Sequence, residues 1–207
     1  DKLEKTSFIS IYDALGYIHK EQYKHFKEEI GEIVDYLLER LSIKTVPLDG
    51  DDFSLLELYG CYTREEIVTL LGDQTENKKL QGSIFGVYDL QNIKDVSLLF
   101  VTLNKSDADF SPTTQYDDYL INENYFHWQS KNSDSHVNNG GYRYVKQGEN
   151  GNKIILFVRE SKQDDFGNTA PFHCFGFVDY VSSHGDCPMN ITWKLEEPAM
   201  PYYLKTI

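Results

Sequence analysis

From Leu103 to Ser130 the chain reads Leu-Asn-Lys-Ser-Asp-Ala-Asp-Phe-Ser-Pro-Thr-Thr-Gln-Tyr-Asp-Asp-Tyr-Leu-Ile-Asn-Glu-Asn-Tyr-Phe-His-Trp-Gln-Ser, with aromatic rings interleaved among hydroxyls, amides and carboxylates. That mixture suits a pocket for a flat polar ring: aromatic faces stack on it while Asp, Asn or Thr meets its hydrogen-bonding edge. The plainer reading has the same rings closing one end of an all-strand core. A second cluster follows the run Lys153-Ile-Ile-Leu-Phe-Val158, where Arg159-Glu-Ser-Lys162 places a Glu-x-Lys at a strand end. In metal-dependent nucleases, carboxylates so placed hold Mg²⁺ and the Lys orients the attacking water. This half-motif needs an Asp from an earlier strand, for which Asp134 is the candidate. Glu-x-Lys also recurs by chance on surfaces, and Arg159 and Lys162 serve more simply as phosphate contacts.

His173-Cys174 and His184-x-x-Cys187 together supply four possible zinc ligands. Adjacent strand residues point to opposite faces, so His173 and Cys174 do not chelate one ion easily, and a small buried Cys beside a polar His is the commoner arrangement. The sequence carries no P-loop, no Rossmann glycine pattern and no GxSxG elbow. The sequon Asn190-Ile-Thr192 falls in an expected strand and is set aside. Lys105, Lys131, Arg143, Lys146, Lys153, Arg159 and Lys162 form a candidate positive rim, with scattered solubilising charge as the plain alternative.

These groups need a scaffold, and 207 residues with 40% hydrophobic content are enough to bury a core without disulfides or a structural metal. Three cysteines without a CxxC spacing point to reduced thiols and a cytoplasmic, soluble protein. No run reaches the ~18 apolar residues of a membrane span. Opening on Asp1 rather than Met fits a piece of a longer protein. The formal net charge of −13 argues against loose, sequence-blind attachment to nucleic acid, so any DNA contact has to be local.

Apolar residues at helical spacing (Ile9, Tyr12, Leu15, Ile18, then Phe26, Ile30, Ile33, Val34, Leu37, Leu38, Leu41) predict helices over the first 45 residues or so. The turn formers Pro47-Leu-Asp-Gly-Asp-Asp52 mark a boundary between there and Gly60, giving a helical connector at 1–59 and a recognition domain at 60–207. Thr63-Arg-Glu-Glu66 is a capping signature for a short helix that stops at Gly72. Strands are expected at 84–90, 97–103, 119–121, 126–129, 143–145, 153–159, 172–180 and 189–195, which predicts an α+β chain with a barrel or sandwich and few helices. The near-continuous apolar runs at 96–103 and 154–158 mark central strands. The polar loops 131–141 and 160–170 are expected to be mobile without a partner.

The strings Leu99-Phe-Val-Thr-Leu-Asn-Lys-Ser106, Phe110-Ser-Pro-Thr-Thr114, Tyr116-Asp-Asp-Tyr119, Phe126-His-Trp-Gln-Ser130, Ile155-Leu-Phe-Val-Arg-Glu160 and Asp179-Tyr-Val-Ser182 with Met189-Asn-Ile-Thr-Trp-Lys194 resemble, in order, the C-terminal family catalogued as domain of unknown function 3427. The resemblance covers about Tyr62 to Pro198. It implies the recognition end of SauUSI-type modification-dependent (type IV) restriction enzymes, which carry helicase and phospholipase-D-type nuclease domains. It further implies a mainly antiparallel SRA-like (PUA-type) β-barrel with short flanking helices. The implied partner is double-stranded DNA with 5-methylcytosine or 5-hydroxymethylcytosine, alongside the helicase and nuclease domains of the same polypeptide, with no membrane. No cofactor and no catalysis are expected in this chain, since ATP and Mg²⁺ would serve the full-length enzyme.

In that setting the target nucleotide would be flipped out of the duplex into a cavity, with stacking offsetting the unstacking cost of a few kcal/mol. Tyr116, Tyr119, Phe126 and Trp128 are the candidate walls, although strand alternation will send some inward. Asp117 or Asp118 would accept the cytosine N4 amine, and Ser111, Thr113 or Thr114 would meet O2 or N3. Thymine would leave that acceptor unpaired at roughly 1–3 kcal/mol. Lys105, Arg143, Arg159 and Lys162 are the candidate DNA-backbone contacts. The alternatives are a protein-interaction or dimerisation module, or a metal-dependent nuclease using Glu160 and Lys162.

Overall fold

The computed structural model describes residues 24–40, 46–74, 86–105, 117–137, 139–164 and 166–204. Contacts divide the chain into one unit ending at Lys44 and another starting at Thr45. In the first unit, helix α1 (Lys24–Arg40) realises the expected apolar spacing, and Phe26, Ile30 and Ile33 stand exposed on it. The helix expected around Ile9 to Ile18 lies outside the described residues. No described helix is long and apolar enough to cross a membrane.

In the second unit, β1 (Val46–Pro47) pairs antiparallel with β2 (Glu57–Leu58) around a short 3₁₀ turn at Asp51–Phe53. Leu48, Phe53, Leu56 and Leu58, which the sequence reading placed in the connector 1–59, are buried in the hydrophobic core of this second unit. After β3 (Cys61–Tyr62) comes α2 (Arg64–Leu70), and the expected capping box is present. The Glu66 N–H donates to Thr63 Oγ1 (3.2 Å), and the Thr63 N–H donates to Glu66 Oε2 (2.7 Å). Ile67 and Val68 bury the apolar face, and Gly72 at φ +76° turns the chain away in a region side chains avoid.

The remaining strands are β4 (Val87–Asp89), β5 (Val96–Thr102), β6 (Tyr119–Asn122), β7 (Tyr125–Gln129), β8 (Lys153–Arg159), β9 (Phe172–His184) and β10 (Asn190–Leu195). They form one sheet in the order β4-β5-β8-β9-β10-β7-β6, with β3 pairing on β9. All neighbours run antiparallel except β5 and β8, which run parallel from Val96↔Lys153 to Thr102↔Arg159. That pair is the one read as central: β5 is buried throughout and β8 from Ile154 on, as a strand covered on both faces requires. The class is α+β.

The barrel, however, is not closed. Among the described residues no ladder joins β4 to β6, and both are short; β6 also shifts register between Leu120 and Asn122. Short, irregular edges protect an open sheet from further pairing.

A second correction concerns Arg143–Val145, expected as a strand and found in helix α3 (Asn139–Val145), which α4 (Gln147–Asn150) follows. The helical turn seats Tyr144 against Trp128 and Trp193. Gly141 permits it, because a Cβ there would collide with the Ser135 carbonyl oxygen and the Met189 sulfur. The last element is α5 (Pro201–Leu204).

Candidate functional site

Where β5 and β8 run out side by side, the ladder continues past their ends: the Leu103 N–H donates to the Arg159 carbonyl (3.0 Å) and the Asn104 N–H to the Glu160 carbonyl (2.7 Å). The start of β6 and helix α5 close around this corner. The result is a cleft of about 120 Å³ lined by Leu103, Asn104, Asp118, Tyr119, Leu120, Glu160 and Tyr203. Tyr203 is buried; its hydroxyl donates to the Val158 carbonyl (3.2 Å) and accepts from His173 Nδ1 (2.5 Å), which locks α5 in place.

Two carboxylates face the cleft in different states. Asp118 is 4% exposed at its side chain and is committed: Oδ2 accepts from Lys105 Nζ at 2.6 Å and Oδ1 from the Gln129 N–H at 2.9 Å. Burial pushes its carboxyl above the usual range, against the pull of the Lys105 ammonium. Glu160 is half-buried; Oε2 accepts from the Tyr202 hydroxyl (2.5 Å), and Oε1 takes a long contact from Asn104 Nδ2 (3.5 Å). Beside them the ring of Tyr119, 49% exposed, stacks on His127 with centroids 4.6 Å apart and planes 14° apart. His127 Nδ1 donates to the Asp117 carbonyl (2.7 Å), so that nitrogen carries the proton and the ring's orientation is fixed.

Of the sequence candidates, Asp118 and Tyr119 thus line the cleft, and Asp117 lies next to it with its N–H bonded to Gln129 Oε1. Ser111, Thr113, Thr114 and Tyr116 lie outside the described residues. Phe126 and Trp128 are not walls: Phe126 is fully buried, and Trp128 packs edge-on against Tyr144 (5.2 Å) and beside Trp193 (6.2 Å). The pleat turned both to one buried face, where Tyr144 of α3 and Trp193 of β10 pack against Trp128.

The four candidate phosphate contacts also separate. Lys105 is held by Asp118. Arg143 pairs with Asp89 (2.5 Å) and donates to the Tyr144 hydroxyl (2.8 Å). Burial alone would push the Asp89 carboxyl up, but hydrogen bonds from Arg143 and Ser97 outweigh it and hold the group below its usual range. Arg159 is buried over Phe172, donating to Thr102 Oγ1 (2.9 Å) and the Ala170 carbonyl (3.0 Å). Lys162 keeps an exposed side chain.

Asp134 is buried away from solvent, and among the described residues no group of three or more His, Cys, Asp or Glu is arranged to hold a metal ion. Cys174 is fully buried, its thiol pushed up to about 12 by desolvation, and His173 is spoken for by Tyr203. Both loops expected to be mobile carry built turns: Gln163 bridges Thr169, with Asp164 Oδ1 accepting from the Phe166 and Asn168 N–H groups, while Asp134 caps back on Lys131.

Sequence reasoning missed the closing role of Tyr203, whose signal was the apolar Ala199-Met200-Pro201-Tyr-Tyr run after the last strand.

Residues 56–205 match the family described as "Domain of unknown function (DUF3427)". No curated protein matches. Among solved structures, "The 5-Hydroxymethylcytosine-Specific Restriction Enzyme AbaSI" is similar at 14% identity and a TM-score of 0.39, over 95% of this chain and 58% of that one. The chain therefore spans little more than half the length of that structure, and a likeness of this size assigns neither fold nor activity.

Proposed function

We propose that this chain, which belongs to the DUF3427 family, is the DNA-recognition domain of a modification-dependent restriction enzyme and binds duplex DNA carrying 5-methylcytosine or 5-hydroxymethylcytosine. One observation carries the reading: a small cleft at the strand ends combines a half-exposed tyrosine ring, backed by His127, with a carboxylate that has acceptor capacity left. A flipped base is held by that pair of features, a stacking face and an edge acceptor. Tyr119 would stack on the extruded ring. Glu160, rather than the committed Asp118, would accept the N4 amine.

With Arg143 and Arg159 engaged inside the fold, phosphate attraction is modest, and base contacts would supply most of the discrimination. DNA cleavage and ATP hydrolysis would belong to nuclease and helicase domains of the same polypeptide.

Titrating labelled duplexes that differ only in one cytosine (plain, 5-methyl, 5-hydroxymethyl) by fluorescence anisotropy tests this. A modified duplex binding tenfold tighter or more supports the reading, and equal affinity for all three overturns it. A second reading, a module that docks another subunit, is favoured by the exposed Tyr119 and Ile121 on the edge strand β6. A dimer that ignores every duplex would be its signature.

A further inference from the structure

We propose that Ser183, His136 and Asp186 form a nucleophile–base–acid relay that hydrolyses small activated carboxylic esters, with the Tyr180 hydroxyl placed to donate to the oxyanion. The site lies at the β9–β10 turn and is independent of the DNA-reading cleft. Its three residues come from two pieces of chain: Ser183 and Asp186 flank one turn, and His136 reaches it from a distant segment. Ser183 sits near the end of β9, opposite Ile191. Asp186 sits on the connection to β10, just after Gly185, whose φ of +70° tightens the turn. His136 arrives from the segment after β7, which is strapped to the same turn by Cys187 N–H donating to the Asp134 carbonyl (3.0 Å) and Ser130 N–H donating to the Met189 carbonyl (2.9 Å).

The contacts follow the order such chemistry requires. Asp186 Oδ1 lies 2.9 Å from His136 Nδ1 and also accepts the His136 backbone N–H at 2.7 Å. Those two bonds hold the Asp186 carboxyl below its usual range, so it is ionised at neutral pH and accepts the Nδ1 proton. With Nδ1 protonated, Nε2 carries the lone pair, and it lies 2.7 Å from Ser183 Oγ. The nucleophile–base and base–orienter distances both fall within hydrogen-bond reach, the geometric requirement for an activated serine. The Tyr180 hydroxyl, 2.8 Å from Ser183 Oγ, supplies a donor beside the reacting atom. His136 is one-third exposed at its side chain and Ser183 is only partly buried, which leaves a small substrate a route to the pair.

The step balances without a co-reactant other than water. As Ser183 Oγ bonds to the ester carbonyl carbon, its proton passes to His136 Nε2. Collapse of the tetrahedral adduct breaks the bond to the leaving oxygen, which takes that proton and departs as the alcohol or phenol. Water then gives a proton to Nε2 and attacks the acyl-serine, the Oγ–carbon bond breaks, and the proton returns to Oγ, releasing the carboxylic acid.

The test uses the whole chain and two probes. A fluorophosphonate is expected to add one phosphonyl group, mapped by peptide mass spectrometry to Ser183. Hydrolysis of p-nitrophenyl acetate is expected to fall about 100-fold in Ser183→Ala and in His136→Gln, the size of a general-base contribution. Tyr180→Phe retains the ring and removes the oxyanion donor, and should lower the rate without preventing labelling. Absence of a Ser183 adduct on the parent chain overturns the proposal, whatever the variants do. So does a Ser183→Ala chain, folded by circular dichroism, that hydrolyses the ester as fast as the parent.

Discussion

One β-hairpin, Tyr119–Gln129, sends its aromatic rings to two different places. On one side Tyr119 lies stacked on His127 at the lip of a cleft, half in solvent. On the other, Trp128 is sealed between Tyr144 and Trp193, with Tyr180 against Trp193 from beyond. The residue types barely differ. What differs is the surroundings: among the described residues β6 is an edge strand with no pairing on its outer side, whereas Trp128 stands on β7 between β6 and β10 with Tyr144 of helix α3 packed against its ring. An aromatic-rich stretch therefore does not itself mark a pocket; the neighbour that covers each ring decides whether it stabilises the fold or remains available to a ligand.

Substitutions on the two sides should separate cleanly. The largest effect is expected from Trp193→Ala on the covered side, where a fully buried indole is lost from a ring cluster. It should cost about 3–5 kcal/mol of stability, read as a drop in the urea midpoint, and a small change there would mean the cluster is not close-packed.

Beneath the lip, Lys105→Met should cost about 3 kcal/mol at neutral pH by stranding the Asp118 carboxylate. The sign with pH follows from the raised carboxyl. A buried acid whose folded pKa lies above the unfolded value of 3.8 binds more protons folded than unfolded between the two, so its contribution to stability is greatest below 3.8 and is lost as pH rises through the folded value. Removing the ammonium widens that window, so the variant should regain most of its lost stability near pH 4, and an equal deficit at both pH values would contradict the pairing. Smaller still is Lys162→Ala, which should leave folding unchanged and reduce the slope of log affinity against log salt by about one. A reduction of two or more would mean that it anchors further basic contacts.

How far the sequence carried this account depends on the kind of signal. The central position of β5 and β8 was legible because double burial writes itself as an unbroken apolar run, and the Thr63–Glu66 cap because it is local, whereas the parallel pairing of the two strands was not. Helix α3 was not, since Tyr-Arg-Tyr-Val has strand propensity and the docking of Tyr144 onto two tryptophans is a long-range contact without a local signature. The open sheet edge and the engagement of Arg143 and Arg159 are long-range outcomes with no local signature. At the cleft, the polar and aromatic character of the segment bearing Asp118 and Tyr119 is visible in the sequence, but which carboxylate is committed to an ion pair depends on where Lys105 lands.

The central claim is that the exposed ring of Tyr119 reads a modified cytosine while the buried rings only hold the frame. The direct measurement is the ratio of affinities for a 5-hydroxymethylcytosine duplex and its plain counterpart, taken before and after Tyr119→Ala, with thermal unfolding followed on the same samples. The account predicts that stability moves by less than about 0.5 kcal/mol, as for an exposed site, while the ratio falls at least tenfold toward one, the loss of roughly 1–3 kcal/mol of stacking. A ratio that survives the substitution unchanged would contradict it.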